Sequence, residues 1–221
     1  MTFTERLTEV RERIEKACAR AHRDAGSVKL LAVTKVFGPE VILEAYAAGL
    51  REFGENYVQE MERKAAAVAH LTDARFHLIG HLQSNKTRKA AQLFASIDTI
   101  DTPKLATRLD AEDKPLEVMI EVKLSEEESK SGAGANEIPA IAEAIRATKH
   151  LNLRGLMTVP PWSEDAELSR PYFAKLAALA AQHNIPEISM GMSHDLETAI
   201  EEGATWVRVG TALFGRRKKL E

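Results

Sequence analysis

The chain has 221 residues, 44% of them hydrophobic and 29% charged, a balance typical of a soluble globular protein with one large domain or two small ones. Thirty basic against 33 acidic side chains give a formal charge of -3, so no overall field recruits nucleic acid or an anionic membrane, and any anion must be bound by local geometry. The lone Cys18 excludes an intramolecular disulfide and a cysteine-built zinc cluster, and it suits a reducing cytosol.

Charges recur every few residues from Met1 to Gly26, unlike the apolar centre of a signal peptide, and no later stretch approaches the ~18 apolar residues of a membrane span. A cytoplasmic location is expected. Leu7, Val10, Ile14 and Ala17 recur at helical spacing and predict an N-terminal helix that Gly26 stops. Short β-rich runs then alternate with helical patterns, at 29–34, 51–53, 76–79, 96–100, 116–122, 153–158, 187–189 and 206–209. Pro39, Pro103 after its Thr cap, and Pro139 mark helix starts, where a missing N–H does least harm. Regular alternation implies parallel strands joined by right-handed crossovers. Eight such units in about 200 residues predict a single α/β domain over residues 1–215, a (β/α)8 TIM barrel with an extra N-terminal helix. An open doubly wound sheet is the alternative. The run Glu126, Glu127, Glu128 reads as a solvated loop, and residues 216–221, with the basic run Arg216 to Lys219, read as a tail with a cloning scar at its end.

In such a barrel the active face lies at the C-terminal ends of the strands. Lys35 follows the first run, Glu55 and Asn56 the second, and His81, Gln83, Ser84 and Asn85 the third. Met157 and Thr158 end the sixth, Met190 to Ser193 follow the seventh, and Gly210 and Thr211 follow the eighth. An isolated lysine is usually a solvated surface residue. Here a buried strand, LLAVT, delivers Lys35 to the rim, where desolvation lowers an amine's pKa and frees it for imine formation with an aldehyde.

The segment SMGMSHDLETAIEEGATWVRVGTALFG spans the two loops that bind phosphate in many such barrels. Ser193 is expected to cap a helix beginning at His194, with Gly191 allowing close backbone approach. Gly210, Thr211 and Ala212 offer N–H groups and a hydroxyl at a second helix start. Either loop alone is an ordinary capped turn; both together, across from a rim lysine, point to phosphate. Arg208, between apolar neighbours in WVRVG, is expected to be buried and to need an acceptor. That acceptor is either a core carboxylate or the pyridine nitrogen or phosphate of a cofactor. His77 and His81 in FHLIGH lack a clear third ligand, so no metal is expected: His77 packs in the third strand and His81 meets the ligand or a neighbouring loop. Met157, Met190 and Met192 also fit as core filler at the barrel top.

The motifs LLAVTK, AGLREFGENYVQE, FHLIGHLQSNK, SKSGA, LRGLMTV and SMGMSHDLETAIEEGATWVRVGTALFG, spread from about Lys29 to Gly215, resemble the PLP homeostasis protein family (the YggS/PROSC family). The resemblance implies a PLP fold type III barrel that holds pyridoxal 5'-phosphate (PLP) as a Schiff base on Lys35. It also implies a role in binding, buffering and delivering the cofactor, with no defined turnover and with PLP-requiring apo-enzymes as recipients. It carries Ser193, Gly210 and Thr211 over as the phosphate cradle, Arg208 as the ring or phosphate contact, and Asn56, His81 and Met157 as the surrounding wall. Lys123 departs from the family pattern, which has a polar amide there, and so does the ending after Gly215. Alanine racemase-like enzymes join a similar barrel to a second, β-rich domain. Few residues follow Gly215, so a monomeric or weakly dimeric carrier is expected, with a small PLP-dependent racemase as the competing reading and a phosphosugar-binding barrel as a third.

Overall fold

In the computed structural model, which describes residues 1–125 and 131–215, eight parallel strands close into a barrel in chain order. The expected Glu126–Glu128 loop and the 216–221 tail lie outside the described residues. The strands are β1 (Lys29–Val33), β2 (Glu52–Glu55), β3 (Arg75–Leu78), β4 (Ser96–Ile100), β5 (Leu116–Glu121), β6 (Leu151–Met157), β7 (Glu187–Met192) and β8 (Trp206–Val209). β8 pairs with β1, Leu31 beside Arg208 and Ala32 beside Val209, which closes the sheet and excludes the open doubly wound alternative. Helices α2 (Pro39–Ala47), α3 (Val58–Val68), α4 (Thr87–Leu93), α5 (Pro103–Asp110), α6 (Ile138–Arg146), α7 (Arg170–Gln182), α8 (Leu196–Glu201) and α9 (Thr211–Phe214) follow the strands. Pro39 and Pro103 open their helices, Pro139 is second in α6, and Thr102 caps α5 by accepting from Leu105 N at 3.2 Å.

The expected run at 187–189 ends too early, because β7 continues through Gly191 to Met192, with a register shift against β8 between Ser189 and Met192. A glycine that reads as a turn in sequence is here a strand irregularity. Helix α1 (Phe3–Arg20) starts from a capping box, Thr2 with Glu5, and buries Phe3, Leu7, Val10, Ile14, Ala17 and Cys18. It ends well before Gly26: His22 takes the left-handed conformation, φ 53°, and Arg23 N donates back to the Cys18 carbonyl at 2.9 Å. Gly26 belongs to the following short turn, Ala25–Ser27. Among the described residues no helix is long and apolar enough to cross a membrane.

Alternation along the strands splits the apolar core in two. Ala32, Phe53, Leu78, Ile97, Val118, Leu156 and Val207 pack outward under the helices, whereas Leu31, Met119, Met157 and Trp206 form a small cluster within the barrel. Beneath that cluster a chain of charges fills the N-terminal end. Lys29 pairs with Glu187 at 3.1 Å, Glu187 with Arg154, Arg154 with Glu117 at 2.5 Å, Glu117 with Arg75 at 2.6 Å, and Arg75 with Glu52 at 3.6 Å. β3 and β5 are not neighbours, so the Arg75–Glu117 pair crosses the barrel interior. Trp206 Nε1 adds a 2.9 Å bond to Glu187. Arg154→Ala leaves two partly buried carboxylates without their shared cation, and chemical denaturation should show a loss of about 2–4 kcal/mol. Lys16→Ala, which removes an exposed one-turn pair with Glu12, should cost less than about 0.5 kcal/mol.

Candidate functional site

Lys35 stands two residues beyond the end of β1, half-buried, in a turn closed by a 3.2 Å bond from Phe37 N to the Thr34 carbonyl. Its neighbour Val36 has φ 65°, and a β-branched residue held in the left-handed region stores about 1–3 kcal/mol. Because β8 lies beside β1, Gly210 emerges next to the lysine's own strand: a Cβ on it would come 3.3 Å from the Val33 carbonyl. Thr211 follows, exposed, as the first residue of α9, whose start at Gly210 has no side-chain cap. The half-buried Ser193 joins the two loops, its hydroxyl accepting from Ala212 N at 3.2 Å.

That bond corrects the expected role of Ser193. Helix α8 begins at Leu196, not His194, and Asp195 holds the cap position, its carboxylate turned back to accept from Met192 N at 2.7 Å. The close backbone approach expected at Gly191 is present, and it is made to α8. With φ 85° and a Cβ that would lie 2.4 Å from Ala199 Cβ, the glycine lets β7 pass tightly against α8. Helix α1 braces both loops from behind: Arg13 donates to the Ser193 carbonyl at 3.0 Å and to Glu197 at 2.6 and 2.8 Å, while Arg6 Nε donates to the Leu213 carbonyl at 2.5 Å.

Arg208 is buried, as expected, and its hydrogen bonds go to neutral oxygens. Its guanidinium donates to Ser189 Oγ and to the Thr158 carbonyl, each at 2.8 Å. Burial lowers its pKa, and the carboxylates of Asp98, Asp195 and Glu121 act against that shift. A guanidinium still keeps its charge. Met157, fully buried, lies below it in the inner cluster. Across the mouth, Asn56 and His81 line one cleft with Tyr57, Gly80, Gln83 and Lys86. Gly80 is required there, because a Cβ would sit 2.2 Å from the Asn56 carbonyl oxygen. The exposed His81 Nδ1 lies 3.6 Å from Asp101, whose pKa burial raises and His81 lowers. In strand order the rim therefore runs from Ser193 through Gly210 and Thr211 to Lys35, then to Asn56 and His81. Lys123, after β5, is half-buried, its N–H bonded to the Ala133 carbonyl at 2.8 Å.

A profile described as "Alanine racemase, N-terminal domain" matches residues 6–218. The pyridoxal phosphate homeostasis protein of Pseudomonas aeruginosa is 45% identical over 222 residues, which span 98% of this chain and 96% of its own length. The chain belongs to the pyridoxal phosphate homeostasis protein family. PipY of Synechococcus elongatus PCC7942, in a structure with PLP bound, matches with a TM-score of 0.84 at 37% identity, over 97% of this chain and 100% of that one. Alanine racemase from Corynebacterium glutamicum matches 97% of this chain and 64% of its own, with a TM-score of 0.67 at 19% identity, a likeness of fold alone.

Sequence reasoning placed His77 in β3 but missed its partners. Its Nε2 lies 2.8 Å from Glu52 and its Nδ1 3.2 Å from Asp98, with the Trp206 ring packed at 5.2 Å. Burial disfavours the charged ring, but Asp98 and Glu52 outweigh it and push the pKa up to about 9. The signal available in sequence was strand parity, since Glu52, His77, Asp98 and Ser189 occupy inward positions of their strands. The folded-state pKa lies above that of the unfolded chain, ~6.5, so the stabilisation is complete below that pH and is lost as pH rises through about 9. Urea denaturation of the ligand-free protein should show stability falling across this window, by about 3 kcal/mol at most, and the fall should flatten in His77→Gln. An equally steep fall in the variant would exclude His77 as its source.

Proposed function

We propose that this member of the family binds pyridoxal 5'-phosphate and serves in its intracellular binding, buffering and delivery, with Lys35 Nζ as the amine that holds the cofactor. The observation that carries the reading is the rim order described above, in which the strand leading to Lys35 lies beside the strand that bears the buried Arg208 and leads into Gly210 and Thr211. That donor set fits the group. Ser193, Gly210 and Thr211 would receive the phosphate, where backbone N–H groups and hydroxyls meet an anion without an excess of basic side chains. Arg208 would face the ring nitrogen or the phosphate, and Asn56, His81 and Met157 would complete the wall. When bound, the cofactor supplies an aldehyde that condenses with a primary amine and a heteroaromatic ring that withdraws electrons.

The protein's own contributions are binding, orientation and charge. Where Arg208 faces the ring nitrogen, its permanent charge would disfavour a proton there and weaken electron withdrawal, which would suit storage better than turnover. Residues 1–215 would act as one binding unit in the cytoplasm, where the buried Cys18 stays reduced, and PLP-requiring apo-enzymes would be the recipients. The shared fold of the alanine racemases favours a second reading, a small amino-acid racemase.

Loading the protein with PLP, reducing with borohydride and mapping peptides should place the pyridoxyl label on Lys35, and Lys35→Ala should lose it. A label on another lysine, or none, would overturn the assignment, and a protein that stays colourless would favour the phosphosugar reading. Incubation of loaded protein with single amino-acid enantiomers should give no multiple-turnover racemisation. Sustained turnover would establish the racemase instead.

A further inference from the structure

The two peptide groups that flank Lys35 are held by one buried ionic cluster on the neighbouring unit. On one side, the Thr34 carbonyl accepts from Lys64 Nζ at 3.0 Å. On the other, Val36 N–H donates to Glu60 Oε1. Lys64 ties the cluster together, donating to that same Glu60 oxygen at 3.0 Å and to Glu55 Oε1 at 2.8 Å, and Thr34 Oγ1 donates to Glu55 Oε1 at 2.6 Å. Thr34, Glu55, Glu60 and Lys64 are all buried, although Val36 itself is 51% exposed. Glu60 and Lys64 lie one turn apart on α3, and Glu55 ends β2, so the anchor is independent of the strand that carries Lys35.

We propose that Glu60 and Lys64 are positioning residues for Lys35, fixing both of its backbone torsions so that its side chain leaves the main chain in one set direction before a cofactor arrives. The inference rests on the assignment of Lys35 as the cofactor-holding residue. Its physical basis is direct. Holding the peptide before Lys35 and the peptide after it leaves neither φ nor ψ of that residue free, so the Cα–Cβ direction is set. Val36 pays for this arrangement by occupying a left-handed conformation that valine disfavours, and its N–H bond to a buried carboxylate is what keeps it there. A pre-aimed amine forms its bond faster and holds it longer than one that must first be ordered.

The test compares Glu60→Ala with Glu60→Gln. The glutamine oxygen can still accept from Val36 N–H and from Lys64, whereas alanine can accept from neither. With melting temperature and circular dichroism confirming the fold, stopped-flow absorbance on mixing with PLP should show bond formation slowed about tenfold or more in Glu60→Ala and within about threefold of wild type in Glu60→Gln. Unchanged kinetics in Glu60→Ala, or equal slowing in both variants, would overturn the proposal. Should Glu60→Ala fail to fold, amide hydrogen exchange on the wild-type ligand-free protein decides. Strong protection of Val36 N–H despite its exposed side chain supports the clamp, and exchange at the rate of an open loop overturns it. If wild-type protein takes no PLP on Lys35, the assignment of Lys35 fails, while the exchange measurement still reads the clamp by itself.

Discussion

Closing eight strands into a barrel forces their inward side chains into a space with little water, and a charge placed there must find a partner that replaces its lost hydration. In the lower half this is done with ion pairs for His77 and Arg154, whereas Lys29 and Arg75 pair while staying partly in water. Lys29, Arg75, Arg154 and His77 each face one or two of the carboxylates Glu52, Asp98, Glu117 and Glu187. Those carboxylates are engaged from below and from the side, and Arg208, at the upper end, is bonded by the neutral oxygens of Ser189 and Thr158 instead. A guanidinium anchored by neutral groups keeps its full charge.

The rim is organised by supports that lie outside it. Helix α1 reaches past the barrel wall with Arg13 and Arg6 to hold the backbones of Ser193 and Leu213, and so fixes the relative placement of the loops after β7 and β8. The Phe3 ring stacks on Phe214 at 5.5 Å, which ties the first residue of α1 to the end of α9. On the other flank of β1, α3 performs the corresponding task for the turn after that strand. Both supports act on main-chain atoms, so the rim's geometry depends less on the identity of the exposed side chains than on buried donors and acceptors behind them.

Much of this was legible in sequence, because strand and helix periods alternate cleanly and apolar β runs are short. The barrel, its eight strands, the proline-marked helix starts and the burial of Arg208 all follow from local pattern. What was not legible depends on contacts between residues far apart in the chain. Ser193 looks like a helix cap because it is a small hydroxyl residue ahead of a helical pattern, yet Asp195 takes that position and Ser193 serves the other loop. Gly191 looks like a turn, and only the neighbouring α8 explains why no side chain is tolerated. The partners of His77 lie 25 and 21 residues away, on β2 and β4, and no local rule links them. Lys64 acquires its partners only because α3 folds back over β1 and β2.

The choice between carrier and racemase does not turn on Arg208 alone. A cation at the ring nitrogen weakens electron withdrawal, but a weakened sink still permits slow proton removal from an attached amino acid. Racemisation also needs a second acid or base on the face opposite the lysine, since one group cannot remove a proton from one side and return it to the other. His81 is a titratable candidate in the cleft it shares with Asn56, and it lies near Asp101 on an exposed loop and not behind the packed supports that hold the turn of Lys35. A proton donor that must be held within a fraction of an ångström of its target gains little from such a setting. Buried hydrogen bonds instead hold the main chain on either side of Lys35 and the guanidinium of Arg208.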